Sequence, residues 1–341
     1  MATTFKTLNS ANDVTSTRTL LHEAIPLTGT IVSGTYSDEN IKTYSHGMFE
    51  SVYDYPYLSS SANHIFDITT GYASNSVLSG ASSTQNSKKL NVYSQMAQVL
   101  VGYDATGSIQ SFDRDGDIAS GGDKIDEAIF VNFSRLLTKD EIKKGSFSMS
   151  IMTGGAPTAV SDAMTITDVG AASSYKVNSP AGEYGILYTG SAVAGYGVGL
   201  VYYQAGVVVL SGSVFAASNM GTGSTVATGF NAIATGSNID MMAGSFRNRL
   251  TDVSFNNTVE LNSTVYFCRA SHNEFNYSAN PTYLSESQIR VKNSTTDNPV
   301  SYVTTVGLYS SDNELLAVAK LSEPLKKDPN TEVTLRVRLD F

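Results

Sequence analysis

Between Glu183 and Asp240 the chain contains no Asp, Glu, Lys, Arg or His, a run of 56 residues without one ionisable group of those kinds. Such a run is excluded from a freely solvated, charge-studded surface; it belongs inside a core or under neighbouring protein. It does not read as a membrane helix, which needs about 20 predominantly apolar residues. Its most apolar part, 198–210, is interrupted by Tyr202, Tyr203, Gln204 and Gly206 and preceded by Gly195, Gly197 and Gly199. Glycines and β-branched residues are poor helix formers, so strands are expected there. Charge is scarce throughout: Asp, Glu, Lys and Arg make up 16% of the chain, where about 25% is usual. That deficit fits a protein covered by neighbours, and equally a β domain with a Ser/Thr-rich face. Trp is missing and Cys268 is the only cysteine, which excludes an intrachain disulfide and argues against a disulfide-stapled secreted scaffold. Basic residues are outnumbered, 22 against 31 acidic, for a net charge of −9. They cluster no further than Lys143-Lys144 and Lys326-Lys327, so nucleic acid is not an expected partner. The first 21 residues lack a basic segment followed by an apolar core, and no secretory signal is expected.

What is present is enough for a real core. The chain has 341 residues, 41% of them apolar, and 28 glycines, which suits one large or two ordinary domains. Leu90, Tyr93, Met96, Ala97 and Leu100 recur at helical spacing and predict an amphipathic helix over 88–103, capped by Asn86 or Ser87. Residues 127–133 and 146–152 read as strands, with a short helix opening at Thr138 and ending at Gly145. The uncharged run reads as strands over 184–190 and 198–212, followed by a Gly/Thr-rich arm over 218–238. Toward the C-terminus, 258–267 alternates. The runs 301–309 and 314–321 flank a polar turn and predict a hairpin. In the last strand Val333, Leu335, Val337, Leu339 and Phe341 alternate with polar residues and predict a buried inward row. The expected fold is mainly β with a minor helical part (α+β), built from antiparallel sheets or a β-sandwich in the C-terminal half. Three regions are expected: a mixed 1–153, a low-charge β region 154–245 acting as an insertion or interface arm, and an antiparallel 246–341.

Chemistry is sparse. Asp113, Asp115 and Asp117 alternate on a polar loop, an arrangement that can coordinate Ca²⁺ through several oxygens. Counted from Asp113, however, the sixth residue is Ile118 and the twelfth Lys124, where a helix–loop–helix calcium loop has Gly and Glu. A solvated acidic turn is the plainer reading. His22, His46, His64 and His272 form no metal-binding spacing. Cys268 and His272 stand four apart with nothing to lower a thiol pKa. Phosphate loops, nucleophile elbows and dinucleotide fingerprints are absent from the sequence. No catalytic residue, cofactor or metal is assigned. The 19 tyrosines read as sheet faces and interfaces, and Tyr196, Tyr202, Tyr203, Phe215, Met220 and Phe230 are the interface candidates of the uncharged run.

A resemblance adds to this. The segment from Ser301 to Lys327 (SYVTTVGLYSSDNELLAVAKLSEPLKK) resembles a hairpin phrase of tail and baseplate-associated proteins of tailed bacteriophages. The segments FVNFSRLLTKDEIKKGSFSMSI and VGLVYYQAGVVVL are similar to structural proteins of marine contractile-tailed phages, cyanophages among them. The resemblance implies a non-enzymatic virion subunit, assembled in the host bacterial cytoplasm. Its implied partners are other virion structural proteins, in multiple copies or as a homo-oligomer; the acidic charge balance and the interrupted apolar run give no expectation of a nucleic-acid or membrane partner. Alternatives are a fibre-type receptor- or glycan-binding module, a neck or head-associated virion protein, and a polysaccharide hydrolase with two converging carboxylates.

Overall fold

The computed structural model describes residues 5–27, 38–80, 83–118, 122–152, 163–193, 195–215, 238–278, 280–286, 288–290, 292, 294 and 296–341. The fold is mainly β with a minor helical part and large antiparallel sheets. The chain forms two compact units, one of residues 21–259 and one of residues 1–20 with 260–341.

The 21–259 unit is built on a long antiparallel path of strands. It runs Ser148–Met152, Ala163–Thr167, Tyr184–Thr189, Gly199–Tyr202, Val207–Ser211, Glu127–Phe133, His64–Tyr72, Glu50–Tyr53 and Ile41–Thr43. Only two residue pairs, Ile166 with Thr189 and Thr167 with Tyr188, join the second and third of these strands. Aromatic contacts join strands far apart along the path: the Phe133 ring, on its sixth strand, lies 6.1 Å from that of Phe147, beside its first, and 5.2 Å from that of Phe255. The path therefore folds over its own face. Ile129, Val131, Val201, Val208 and Leu210 share that inner core with Met149, Ile151 and Val253. The alternate residues of the same strands, Ala128, Phe130, Leu200, Tyr202 and Val209, belong to a second core that includes Val92, Tyr93, Ala97 and Leu100 of the helix Thr84–Leu100.

Two-sided burial explains the missing charge in the two central strands of the run. Every residue of Gly199–Tyr202 and of Val207–Ser211 is buried. A strand covered on both faces has no position where an ion can reach water, so its sequence becomes a continuous apolar run. The helix begins at Thr84, four residues before its expected start, because the Ser83 side chain accepts the Asn86 N–H at 3.3 Å and caps it. It ends at Leu100, and Gly102 follows at φ 90°, a left-handed conformation that glycine adopts freely. The helix lies flush on Gly71: a Cβ there would stand 2.6 Å from the Lys89 carbonyl oxygen.

In the other unit, Val333–Asp340 pairs with the second half of Leu250–Ala270, placing Val337 opposite Tyr266. The first residues of Val14–Pro26 lie along the same strand, where Ser16 Oγ is 3.1 Å from Thr264 Oγ1 and Arg18 pairs with Glu260. Ser301–Tyr309 and Leu315–Lys327 form a separate two-stranded hairpin. Its turn passes through Asn313 at φ 62°, a left-handed position that Asn tolerates.

Several expectations are corrected. The described strands of region 154–245 are the middle of the sheet, hydrogen-bonded to Ser148–Met152 on one side and Glu127–Phe133 on the other; they complete it instead of interrupting it. The short helix is Arg135–Thr138, which ends at Thr138 where a start was expected. Of the five apolar residues of the last strand only Val337 is buried, and Phe341 is 76% exposed. The arm expected at 218–238 lies outside the described residues except for Asn238.

Candidate functional site

The acidic loop is the first candidate. Asp113 ends the short strand Phe112–Asp113, paired with Lys124–Ile125. Carboxylate oxygens of Asp113, Asp115 and Asp117 come within 4.8 Å of one another, as the alternation led one to expect. A cation is already supplied from within: the Lys124 ammonium bonds Asp113 Oδ2 directly. The Asp115 N–H donates to Asp113 Oδ1 at 3.0 Å and the Asp117 N–H to Asp115 Oδ1 at 3.2 Å. Burial pushes the Asp113 carboxyl up, but the bonds from Asp115 and Lys124 outweigh it and hold the group below its ordinary value. Asp115 is pushed up by its neighbour Asp113. The loop is also tied down, with Arg114 Nε donating to the Gly197 carbonyl at 2.6 Å and Asn178 Nδ2 to that of Gly116 at 3.1 Å. The twelfth position, where a calcium loop brings a carboxylate, brings the competing ammonium.

The interface candidates of the uncharged run divide differently from expectation. Tyr202, Tyr203 and Phe215 are 1%, 0% and 0% exposed, inside the chain's own cores. They cannot present a surface, and their place as interface residues is corrected to core. Tyr196 is 63% exposed. Met220 and Phe230 lie outside the described residues. Tyr203 anchors a buried polar knot: its hydroxyl donates to Asp168 Oδ2 at 3.0 Å, and Asp168 also accepts the N–H groups of Gly145 at 2.7 Å and Phe147 at 3.0 Å. Burial raises the Asp168 pKa despite those bonds. Lys144 lies 5.6 Å over the Tyr203 ring and pairs with Glu183 at 2.6 Å. This knot ties Gly145 and Phe147 to Asp168. The Cys268 thiol is pushed up by burial and by Asp13, the wrong direction for a nucleophile.

Exposed apolar surface gathers elsewhere, on the hairpin of the second unit. Tyr302, Leu315 and Val318 are each 52% exposed, Leu316 68% and Tyr309 46%. Among the described residues the hairpin pairs with no third strand. A two-stranded hairpin alone is marginal in water, and a long apolar edge is a template for another chain. No distinctive sequence signal marks this hairpin: Asn298 to Ser311 is uncharged, but 68–87 and 145–161 are longer uncharged runs. Beside the hairpin, Ser278, Asn280, Thr282, Tyr283, Arg290 and Tyr302 line an open groove of about 280 Å³ with no carboxylate among them. No helix among the described residues is long and apolar enough to cross a membrane. We found no protein-family model, no curated protein and no solved structure that matches the chain.

Proposed function

We propose that the protein is a non-enzymatic structural subunit that acts by packing against other proteins, a tail or baseplate component of a tailed-phage virion, and that residues 1–20 with 260–341 are its docking unit. One observation carries this reading. Among the described residues of that unit, only Tyr283 and Val337 are buried apolar side chains, and neither core cluster draws a member from it. Burial of two side chains is small beside the conformational entropy lost in ordering such a unit. Its apolar side chains are placed for coverage by another chain. The segment that resembles phage tail proteins, 301–327, is the same uncovered hairpin.

The test is cross-linking mass spectrometry of purified assembled particles. Lys320 and Lys326 of the hairpin are expected to link to other chains. Particles that contain the protein with both lysines freely modified by a soluble reagent would remove the reading.

The groove supports a second reading, a glycan-binding module. Exposed Tyr302 offers a ring face, Arg290 a guanidinium, and Ser278, Asn280 and Thr282 hydrogen-bonding groups. Glycan-array binding lost on Tyr302→Ala would favour it over the packing role.

A further inference from the structure

Resting on the docking reading above, the occupant of the open hairpin edge can be named from its chemistry. We infer that strand Ser301–Tyr309 pairs antiparallel with the same strand of a second copy of this chain, about a two-fold axis at Thr305, to make a four-stranded sheet.

Three observations lead there. First, the two edges of the hairpin differ. The Leu315–Lys327 strand departs from regular register at both ends, between Val303/Thr305 and between Leu308/Tyr309, with the extra residues on its own side. It also carries Lys320, Pro324 and Lys326. Bulges, lysines and prolines are the devices that blunt an edge against pairing. Ser301–Tyr309 has none of them, and beyond the buried Ser301 it is the edge left open.

Second, the charge balance favours a like partner. The docking unit holds ten Lys and Arg against eleven Asp and Glu, a net of −1, whereas residues 21–259 hold twelve against twenty, a net of −8. A one-signed surface recruits an opposite partner, and a balanced one is complementary to itself when its signs are segregated.

Third, the signs are unevenly placed along the hairpin: the turn is purely acidic, and the cations lie toward the other end, together with Glu323 and Asp328. The turn carries Asp312 and Glu314, and Lys326 stands opposite Tyr302 at the far end. Among the described residues, Asp312 and Glu314 make no ion pair. Lys326 reaches only Asp328, at 3.9 Å. A two-fold axis at Thr305 brings each acidic turn to the other copy's Lys326 end. It also sets Tyr302 across from Leu308 and Thr304 across from Val306, aromatic and β-branched cross-strand partners of the kind that stabilise sheets. An isologous contact of this sort closes on itself and forms no fibre.

The test uses the full chain in a Cys268→Ser background. Thr305→Cys, on the axis, is expected to give a disulfide-linked dimer under mild oxidation, and Ser322→Cys, on the other strand, is not. Equal cross-linking at both sites, or none at 305, would overturn the inference. Asp312→Lys with Glu314→Lys is expected to weaken dimerisation in sedimentation by about thirtyfold, because two symmetry-related contacts turn repulsive. Adding Lys326→Glu is expected to restore most of it, and a triple variant no tighter than the double would also overturn the pairing. A chain that associates without cross-linking at 305 would refute this copy-to-copy pairing and leave the docking reading standing. A stable monomer with a fully protected hairpin would refute both.

Discussion

Two neighbouring valines test the two-sided burial of the uncharged run. Val208 lies in the core shared with Phe147 and Val253, Val209 in the core shared with Tyr93 and Ala97, and both are fully buried. Val208→Ala and Val209→Ala each delete two carbons from a closely packed environment. At about 0.8 kcal/mol per methylene plus a cavity contribution, each should cost about 2–3 kcal/mol. For a unit of this size that lowers Tm by roughly 5–10 °C. Val177→Ala, at a side chain 69% exposed, serves as the control and should change stability by less than about 0.5 kcal/mol. The assay is urea denaturation followed by far-UV circular dichroism and tyrosine fluorescence, since the chain has no Trp. A strand with one face in water or against another protein would split the pair into one costly and one silent substitution. If either valine behaves like the control, the explanation of the missing charge in these strands is wrong.

Four further outcomes follow from the buried polar groups. Gly185→Ala would place a Cβ 2.0 Å from Tyr203 Oη; it should cost about 2–4 kcal/mol by overpacking and by loss of the bond to Asp168, and Tyr203→Phe should add less than its own cost to it. Lys124→Met leaves the Asp113 carboxylate buried without its cation and should destabilise by about 2–4 kcal/mol at neutral pH. Asp113 is held below its ordinary pKa, so its stabilisation is present above the unfolded value and lost as pH falls through the folded one; the cost of Lys124→Met should shrink as acid neutralises Asp113, read as converging urea midpoints. Asp168 runs the other way: its raised pKa means that the folded chain holds a proton there more tightly, so its contribution grows more favourable as pH falls. In the docking unit, the buried Lys327 ammonium donates to the His272 carbonyl at 3.2 Å, Asn276 Oδ1 at 2.7 Å and the Asp328 carbonyl at 2.9 Å. Lys327→Met should speed amide exchange over 271–276 and leave the urea midpoint of residues 21–259 unchanged.

Much of the secondary structure was legible because it follows local periodicity. Strand 127–133 and the first hairpin strand, 301–309, match their expected limits, and the helix was displaced by three or four residues because Ser83, a cap, carries no apolar signal. The convergence of Asp113, Asp115 and Asp117 was legible from alternation; the bond from Lys124 was not, since it depends on the pairing of Phe112–Asp113 with Lys124–Ile125. The meaning of the uncharged run was illegible for a physical reason. An apolar strand facing its own core and one facing a neighbour obey the same burial rule, so Tyr202 and Tyr203 read alike in either place. Only the pairing of Val207–Ser211 with Glu127–Phe133, beneath the helix Thr84–Leu100, separates the two. Conversely, the alternation of Val333 to Phe341 suggested a buried row, yet period-two alternation records which residues share a face and not whether anything covers that face.

The proposed division of the chain into a self-sufficient unit and a docking unit is tested most directly by hydrogen exchange of the full chain over a wide range of concentrations. Amides of residues 199–211 should be protected near the global limit at every concentration. Amides of 301–309 should exchange fast in dilute solution and slow steeply as the chain is concentrated. Protection of 301–309 that is already high in the dilute monomer and independent of concentration would contradict the account.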